Sequence, residues 1–266
     1  MGDTVKLDIC AGVATVSLNR PTQLNALSVE MMQDLNRALA AVAAAQGVEV
    51  VVIRGNGGHF MAGGDIREFH AHETLEPHAR LHAFRAMIEQ WINPLVTQIR
   101  ALHQPVIASV EGACAGFGLS LVLACDLALC ADNAKFTTAY AHIGLSGDGG
   151  ISWFLPRVVG VRRATELLLF GDRLDARQAH ELGLVNRVVP LADLAAATAG
   201  LVARVQAGPR QAYAEIKQLL NHSATATLPA QLADEALAFA RCGATADFIE
   251  GTGAFLDKRK PGFQGR

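Results

Sequence analysis

The chain reads as an α/β protein, and three observations carry that reading. Strand-like apolar runs alternate with helix-period segments as far as Pro190. Two glycine-studded segments each follow such a run. Beyond Pro190 the pattern is helical, with no strand between segments. In order, residues 6–10 and 13–18 alternate apolar and polar positions around Ala11-Gly12, which predicts a hairpin. Ser28, Glu30 and the helix-spaced Val29, Met32, Leu35, Leu39 and Val42 predict a helix to residue 45. Residues 50–54 and 106–110 predict strands, and 79–102 and 117–124 helices. Short strands are expected around 127–130, 135–137 and 185–189. Four helices then cover 192–207, 209–222, 228–242 and 245–258, with Pro209 suited to a first turn.

Composition excludes several classes. Among 266 residues, 51% are apolar and 18% charged, which rules out disorder and fits either a large core or surface hidden in an oligomer. A net charge of −2 gives no general pull toward nucleic acid or anionic membrane. The opening Met1-Gly2-Asp3-Thr4 has no signal-peptide character, and Lys6 stands where a myristoylation motif needs Ser or Thr. The longest apolar stretch, 119–130, is interrupted by Asp126 and is too short to span a bilayer. Five cysteines without a CxxC pair read as reduced thiols of a cytoplasmic protein, with no disulfide framework or zinc site expected.

The glycine segments carry the chemistry. They are Phe60-Met61-Ala62-Gly63-Gly64-Asp65-Ile66 and Gly112-Ala113-Cys114-Ala115-Gly116-Phe117-Gly118-Leu119-Ser120. Each can present bare backbone N–H groups at a strand end, and two converging on one oxygen form an oxyanion hole. With Asn19-Arg20-Pro21 and Asn25-Ala26-Leu27-Ser28 upstream, nearly the whole chain resembles the crotonase family of enoyl-CoA hydratases and isomerases.

That resemblance implies a spiral of ββα units over residues 1–190 and a C-terminal helical trimerisation region over 191–266, giving homotrimers or dimers of trimers. It implies an acyl-CoA thioester as substrate, CoA being part of that substrate, with no metal or other cofactor. Its oxyanion donors map to the N–H groups of Ala62 and of Phe117, the latter replacing the usual middle glycine of Gly116-Phe117-Gly118. Asn25, Ala26 and Leu27 match a segment lining the CoA site; Gly64, Asp65, Ile66, Gly116 and Tyr140 complete the implied acyl-CoA contacts. Phe255 and Lys258 resemble residues that reach CoA, often across a subunit interface. The lysine-rich helix face of RNA-binding members is missing.

The departures from the family are equally informative. The two hydratase glutamates fall on Ser120 and Tyr140, neither a general base near neutral pH. One carboxylate remains, Asp148 in Gly144-Leu145-Ser146-Gly147-Asp148-Gly149-Gly150, where ring isomerases of phenylacetate breakdown and some Δ3,Δ2-enoyl-CoA isomerases carry an acid. Gly147 replaces their usual proline. The expectation is an isomerase in which Asp148 moves one proton and the two amides hold the enolate. The alternatives are a hydratase with a reduced set of groups and a catalytically silent acyl-CoA binder.

Competing roles are open for several residues. Asp148 could cap the helix that follows it. It could be a nucleophile as in aryl-CoA dehalogenases, but Asn93 stands where those need histidine. Ser146 and His142 suggest a hydrolase triad, although the G-x-S-x-G elbow is broken by Asp148. His70, His72, His78 and His82 lack a metal-ligand frame and are expected to flank the acyl pocket or to be solvated. Tyr140, Trp91, Phe84, Met87 and Trp153 suggest an aromatic-lined pocket, or simply core.

Overall fold

The computed structural model describes residues 2–265. Strands β1 (Val5–Cys10) and β2 (Val13–Leu18) form the expected antiparallel hairpin. Its two-residue turn, Ala11-Gly12, has positive φ at both positions, the conformation that matches strand twist. Helix α1 (Val29–Ala44) starts at Ser28, whose side chain accepts the Met31 N–H, and buries its apolar stripe. Strands β3 (Val50–Gly55), β4 (Val106–Val110), β6 (Leu127–Ala131) and β9 (Arg187–Val189) add in parallel to β2. The six-stranded sheet therefore has the order β1-β2-β3-β4-β6-β9.

A second, three-stranded sheet is formed by β5 (Ala113–Ala115), β7 (Lys135–Thr137) and β8 (Leu174–Asp175). Short helices α2 (Ile66–His70), α3 (Pro77–Met87), α4 (Asn93–Ala101) and α5 (Phe117–Ala124) connect the strands. After β7 come α6 (Ile151–Val159), α7 (Val161–Phe170) and, past β8, α8 (Ala176–Glu181).

Strand alternation divides the core. On β3, Val51 and Ile53 face the main core, while Val50 and Val52 join Ile107 and Leu129 beneath α9 (Leu194–Gln206). Helices α10 (Arg210–Ser223), α11 (Leu228–Gly243) and α12 (Ala246–Leu256) complete the chain. Lys217 of α10 is buried and bonded to the carbonyls of Ile99 and Gln104 and to Asp126, which also pairs with Arg100. That cluster ties the C-terminal helices to the α/β region. Their other faces leave Phe239, Phe255 and Leu256 about four-fifths exposed, at 80%, 83% and 79%.

Pro209 precedes α10 as its N-cap and is not in the first turn, and the largest departure from the sequence reading lies between β3 and β4. The single helix expected over 79–102 is α3 and α4 joined by a π turn at Ile88–Ile92. Pro94 has no N–H to offer the preceding turn, and the chain absorbs one extra residue there. Asn36 answers the change by donating its side-chain amide to the Trp91 carbonyl at 2.9 Å.

Candidate active site

The two glycine segments lie side by side. Met61 and Cys114 form an isolated parallel bridge, with Met61 N–H donating to the Ala113 carbonyl at 2.9 Å and Ala115 N–H to the Met61 carbonyl at 2.8 Å. Glycine is required at the crossing points. A Cβ on Gly118 would fall 2.6 Å from the Met61 carbonyl oxygen. Gly116 turns from β5 into α5 at φ 51°, ψ −123°, and a Cβ there would sit 3.3 Å from the Gly63 Cα. Gly116→Ala should therefore cost about 1–3 kcal/mol in denaturant unfolding. Turnover should fall with it, because the same turn aims the Phe117 amide.

The bond pattern identifies the free amides, and it corrects one assignment. Ala62 N–H is already donated to the Leu24 carbonyl at 3.0 Å, so it is not an oxyanion donor. Leu27 N–H takes the Gly63 carbonyl at 2.7 Å and Asp65 N–H takes the Leu27 carbonyl at 3.0 Å. Between those two bonds the Gly64 N–H has no acceptor among the described residues. Gly63, at φ 97°, breaks the extended run between Ala62 and Gly64. On the other segment Phe117 opens α5, where a helical N–H has no partner within its own helix. Phe117 has negative φ and a buried ring, so its side chain leaves the amide in place. Gly64 and Phe117 each follow a member of the Met61–Cys114 bridge by the same number of residues. The register therefore brings these two amides together.

Gly64 and Phe117 line a cavity of about 200 Å3 together with Leu27, Ile66, Phe69, Tyr140, His142 and Asp148. Asp148 Oδ1 accepts the Tyr140 hydroxyl at 2.7 Å. Ser120 donates to the Asp148 carbonyl at 3.0 Å and lies 3.0 Å from the Tyr140 oxygen. Burial pushes the Asp148 carboxyl above its ordinary value, and the Tyr140 hydrogen bond only partly offsets it. The Tyr140 hydroxyl is pushed up too, first by burial and then by the adjacent Asp148 charge. Asp148 is half-buried by surface area because its carboxyl faces the cavity. It does not cap α6: Gly150 occupies that position, and no side chain caps the helix.

The other expected site residues separate into three groups. Leu27, Gly64, Ile66, Gly116 and Tyr140 line the cavity, as does Ala62. Asn25, fully buried at φ 56°, accepts the Arg20 N–H and donates to the Asn56 and His59 carbonyls, so it holds the loop. The Ala26 carbonyl accepts from the Arg20 side chain. Arg20 also pairs with Asp65 at 2.8 Å, and Asp65 caps α2 through the Arg67 N–H. Phe255 and Lys258 stand at the end of α12, exposed and outside the cavity lining.

The hydrolase triad and the histidine metal site have no geometry behind them. His142 bonds the Phe170 carbonyl, and among the described residues no hydrogen bond joins it to the exposed Ser146. His78 and His82 contact each other on the surface, and no cluster able to hold a metal exists among the described residues. Of the expected aromatic lining only Tyr140 is present; Trp91 packs on the core, Phe84 on Phe69, and Trp153 under Arg157. Phe69 and Leu145 line the cavity without having been expected; the Ile66–Phe69 spacing on one helix face was the available signal for the former. A larger hollow of about 710 Å3 lies against α9 and α10, but its Lys217 and Asp126 are already paired with each other.

Two backbone amides without an acceptor among the described residues and one carboxyl thus face a small cavity, an arrangement able to hold an oxyanion beside a proton acceptor. The family model for enoyl-CoA hydratase/isomerase matches residues 8–266. A protein of Rhodobacter capsulatus named "Probable enoyl-CoA hydratase" is 36% identical over 99% of this chain and 98% of its own length. The 1,2-epoxyphenylacetyl-CoA isomerase of Escherichia coli K12 is 37% identical over 96% of both chains. The crystal structure of an enoyl-CoA hydratase from Polaromonas sp. JS666 superposes with a TM-score of 0.88 at 36% identity, covering 98% of this chain and 99% of that one. The chain belongs to the enoyl-CoA hydratase/isomerase family.

Proposed function

We propose that the protein is an acyl-CoA isomerase that shifts a double bond within an unsaturated or ring-derived acyl thioester. The observation carrying this reading is the single cavity carboxyl, Asp148, with hydroxyls of Ser120 and Tyr140 at the two positions where hydration would need carboxylates. Hydration requires a group to activate water and a group to protonate the α-carbon; isomerisation requires one group that takes and returns a proton. Gly64 and Phe117 N–H groups would polarise the thioester carbonyl and hold the enolate. Asp148 would remove a proton from C2 and deliver it to C4. A carboxyl raised by burial is a better match to that task than an ordinary one, since it binds the proton more tightly once it has it. This chemistry is complete with side chains and amides and calls on no further cofactor.

The exposed apolar faces of α11 and α12 support assembly as a homotrimer or dimer of trimers through residues 191–266, with residues 1–190 as the catalytic unit. In such an assembly Phe255 and Lys258 would reach the CoA of a neighbouring subunit. Supplying 3-hexenoyl-CoA should raise conjugated enoyl-thioester absorbance, while crotonyl-CoA absorbance should stay constant. A fall with crotonyl-CoA would favour hydration instead, and binding without turnover of either would favour a silent acyl-CoA binder.

A further inference from the structure

The loop that carries Asp148 has little stiffness of its own. Gly147, Gly149 and Gly150 have φ of 112°, 60° and 79°, conformations that glycine adopts readily and proline at 147 could not. A catalytic carboxyl on such a loop needs support from outside it, because small misplacements of a reacting group are costly. Support comes from one place. Ser120 is fully buried on α5 and donates to the Asp148 main-chain carbonyl; Tyr140, from the 3-10 turn Tyr140–Ile143, donates to Oδ1; and the two hydroxyls contact each other. Among the described residues no side chain donates to Oδ2.

We propose that Ser120 and Tyr140 are positioning residues: a two-hydroxyl clamp that fixes Asp148 against the oxyanion amides and reserves Oδ2 as the oxygen that takes and returns the proton. The inference rests on the isomerase reading and deepens it, giving the former hydratase positions a new task. Ser120 stands three residues after Phe117 on the same helix face, so one turn of α5 sets the acid in register with the amide. A Cβ on Gly149 would fall 2.6 Å from the Phe117 ring and 2.9 Å from Ser120 Cβ, so the loop lies directly on that turn. The proton balance is closed. Oδ2 gains the C2 proton as the enolate forms, gives it to C4 as the enolate collapses, and Tyr140 donates to Oδ1 throughout.

Two variants of the full-length protein separate this clamp from ordinary packing. Tyr140→Phe should lower kcat for 3-hexenoyl-CoA on the order of 10- to 100-fold with KM little changed. It should also move the acid limb of kcat/KM to higher pH. Tyr140 stabilises the ionised carboxylate, so removing it raises the pH at which the base loses its charge. Among the described residues the only other titratable group lining the cavity is His142, which both variants retain. Ser120→Ala should lower kcat but leave that limb in place, because Ser120 holds the main chain and not the carboxylate. If either variant fails to fold, the other still reads one half of the clamp.

Parental kcat in both variants, or KM rising at constant kcat, would overturn the proposal. So would a Tyr140→Phe limb that stays in place. Asp148→Asn measured alongside keeps the two levels apart. Parental turnover in that variant would remove the isomerase reading itself; an inactive Asp148→Asn beside fully active clamp variants would remove only the clamp.

Discussion

Asp148→Asn should fold, bind CoA thioesters as the parent does, and turn over a 3-enoyl thioester about 10²- to 10⁴-fold more slowly, the range for loss of a positioned general base. Asn preserves the size of the side chain and an oxygen for the Tyr140 hydroxyl, but cannot accept the C2 proton. The loss should therefore appear in kcat, with KM nearly unchanged. The same substitution should raise stability. In the folded protein burial lifts the Asp148 pKa above 3.8, so the folded state holds that proton more tightly than the unfolded chain. Its contribution is present below the unfolded value and is lost as pH rises through the folded one. At neutral pH the ionised, half-buried carboxylate is a cost that Asn does not carry. Thermal melts should accordingly place Asp148→Asn above the parent at neutral pH, with the gap closing in acid. A variant that loses stability at neutral pH would show that the carboxylate is held for structure. Parental activity in the acid limb should fall away above the ordinary carboxylate range, for the same reason.

Removing the Gly64 N–H should cost about 10²–10³ in kcat, the usual effect of one oxyanion donor. The comparison that isolates it is Gly64→Pro against Gly64→Ala. Any Cβ at this position would fall 2.4 Å from the Phe69 ring, so both variants displace that side chain. Only proline also deletes the amide hydrogen. The expected order of turnover is parent, then Ala, then Pro, with the large step between Ala and Pro. In an isotope-edited infrared spectrum the bound thioester carbonyl should shift to lower frequency in the parent and in Gly64→Ala, but not in Gly64→Pro. Equal turnover and equal carbonyl frequency in the two variants would return the oxyanion role to another donor.

The contrast between Ala62 and Gly64 shows where sequence reasoning reached its end. That two glycine segments would supply amides was legible, because both follow strands and both are rich in residues that allow close approach. Which amide is free was decided by a distant acceptor, the Leu24 carbonyl, and by the positive φ of Gly63. Neither is written in the local letters. Strand β4 and helix α5 stand at their expected bounds because a short apolar run closed by charge or glycine is strong local punctuation. Strands β5 and β8, of three and two residues, are too short to show a period. The π turn at Ile88–Ile92 arises from Pro94 acting on the preceding turn, so the break lies upstream of the residue that causes it.

Asp148 was legible as a lone carboxylate among glycines, whereas its partners were not. Ser120 and Tyr140 read as losses when each is compared with a missing glutamate. Only the fold brings them within 3.0 Å of each other, Ser120 onto the Asp148 main-chain carbonyl and Tyr140 onto its carboxylate. Burial likewise decides the sign of the Asp148 shift. A helix start would oppose burial, but α6 begins beyond Gly150 and draws no cap from this side chain. The C-terminal helices were legible as helices from their period, while the structure leaves Phe255 and Lys258 exposed.

The most direct measurement follows the label in the proton that Asp148 is proposed to carry. 3-Hexenoyl-CoA deuterated at C2 would be incubated with the parent protein, and the product analysed by mass spectrometry and NMR. The expected product is a 2-enoyl thioester of unchanged composition with deuterium recovered at C4, as a single shuttling carboxyl requires. A product heavier by one water, or a 2-enoyl thioester with no deuterium at C4, would contradict transfer by one carboxylate.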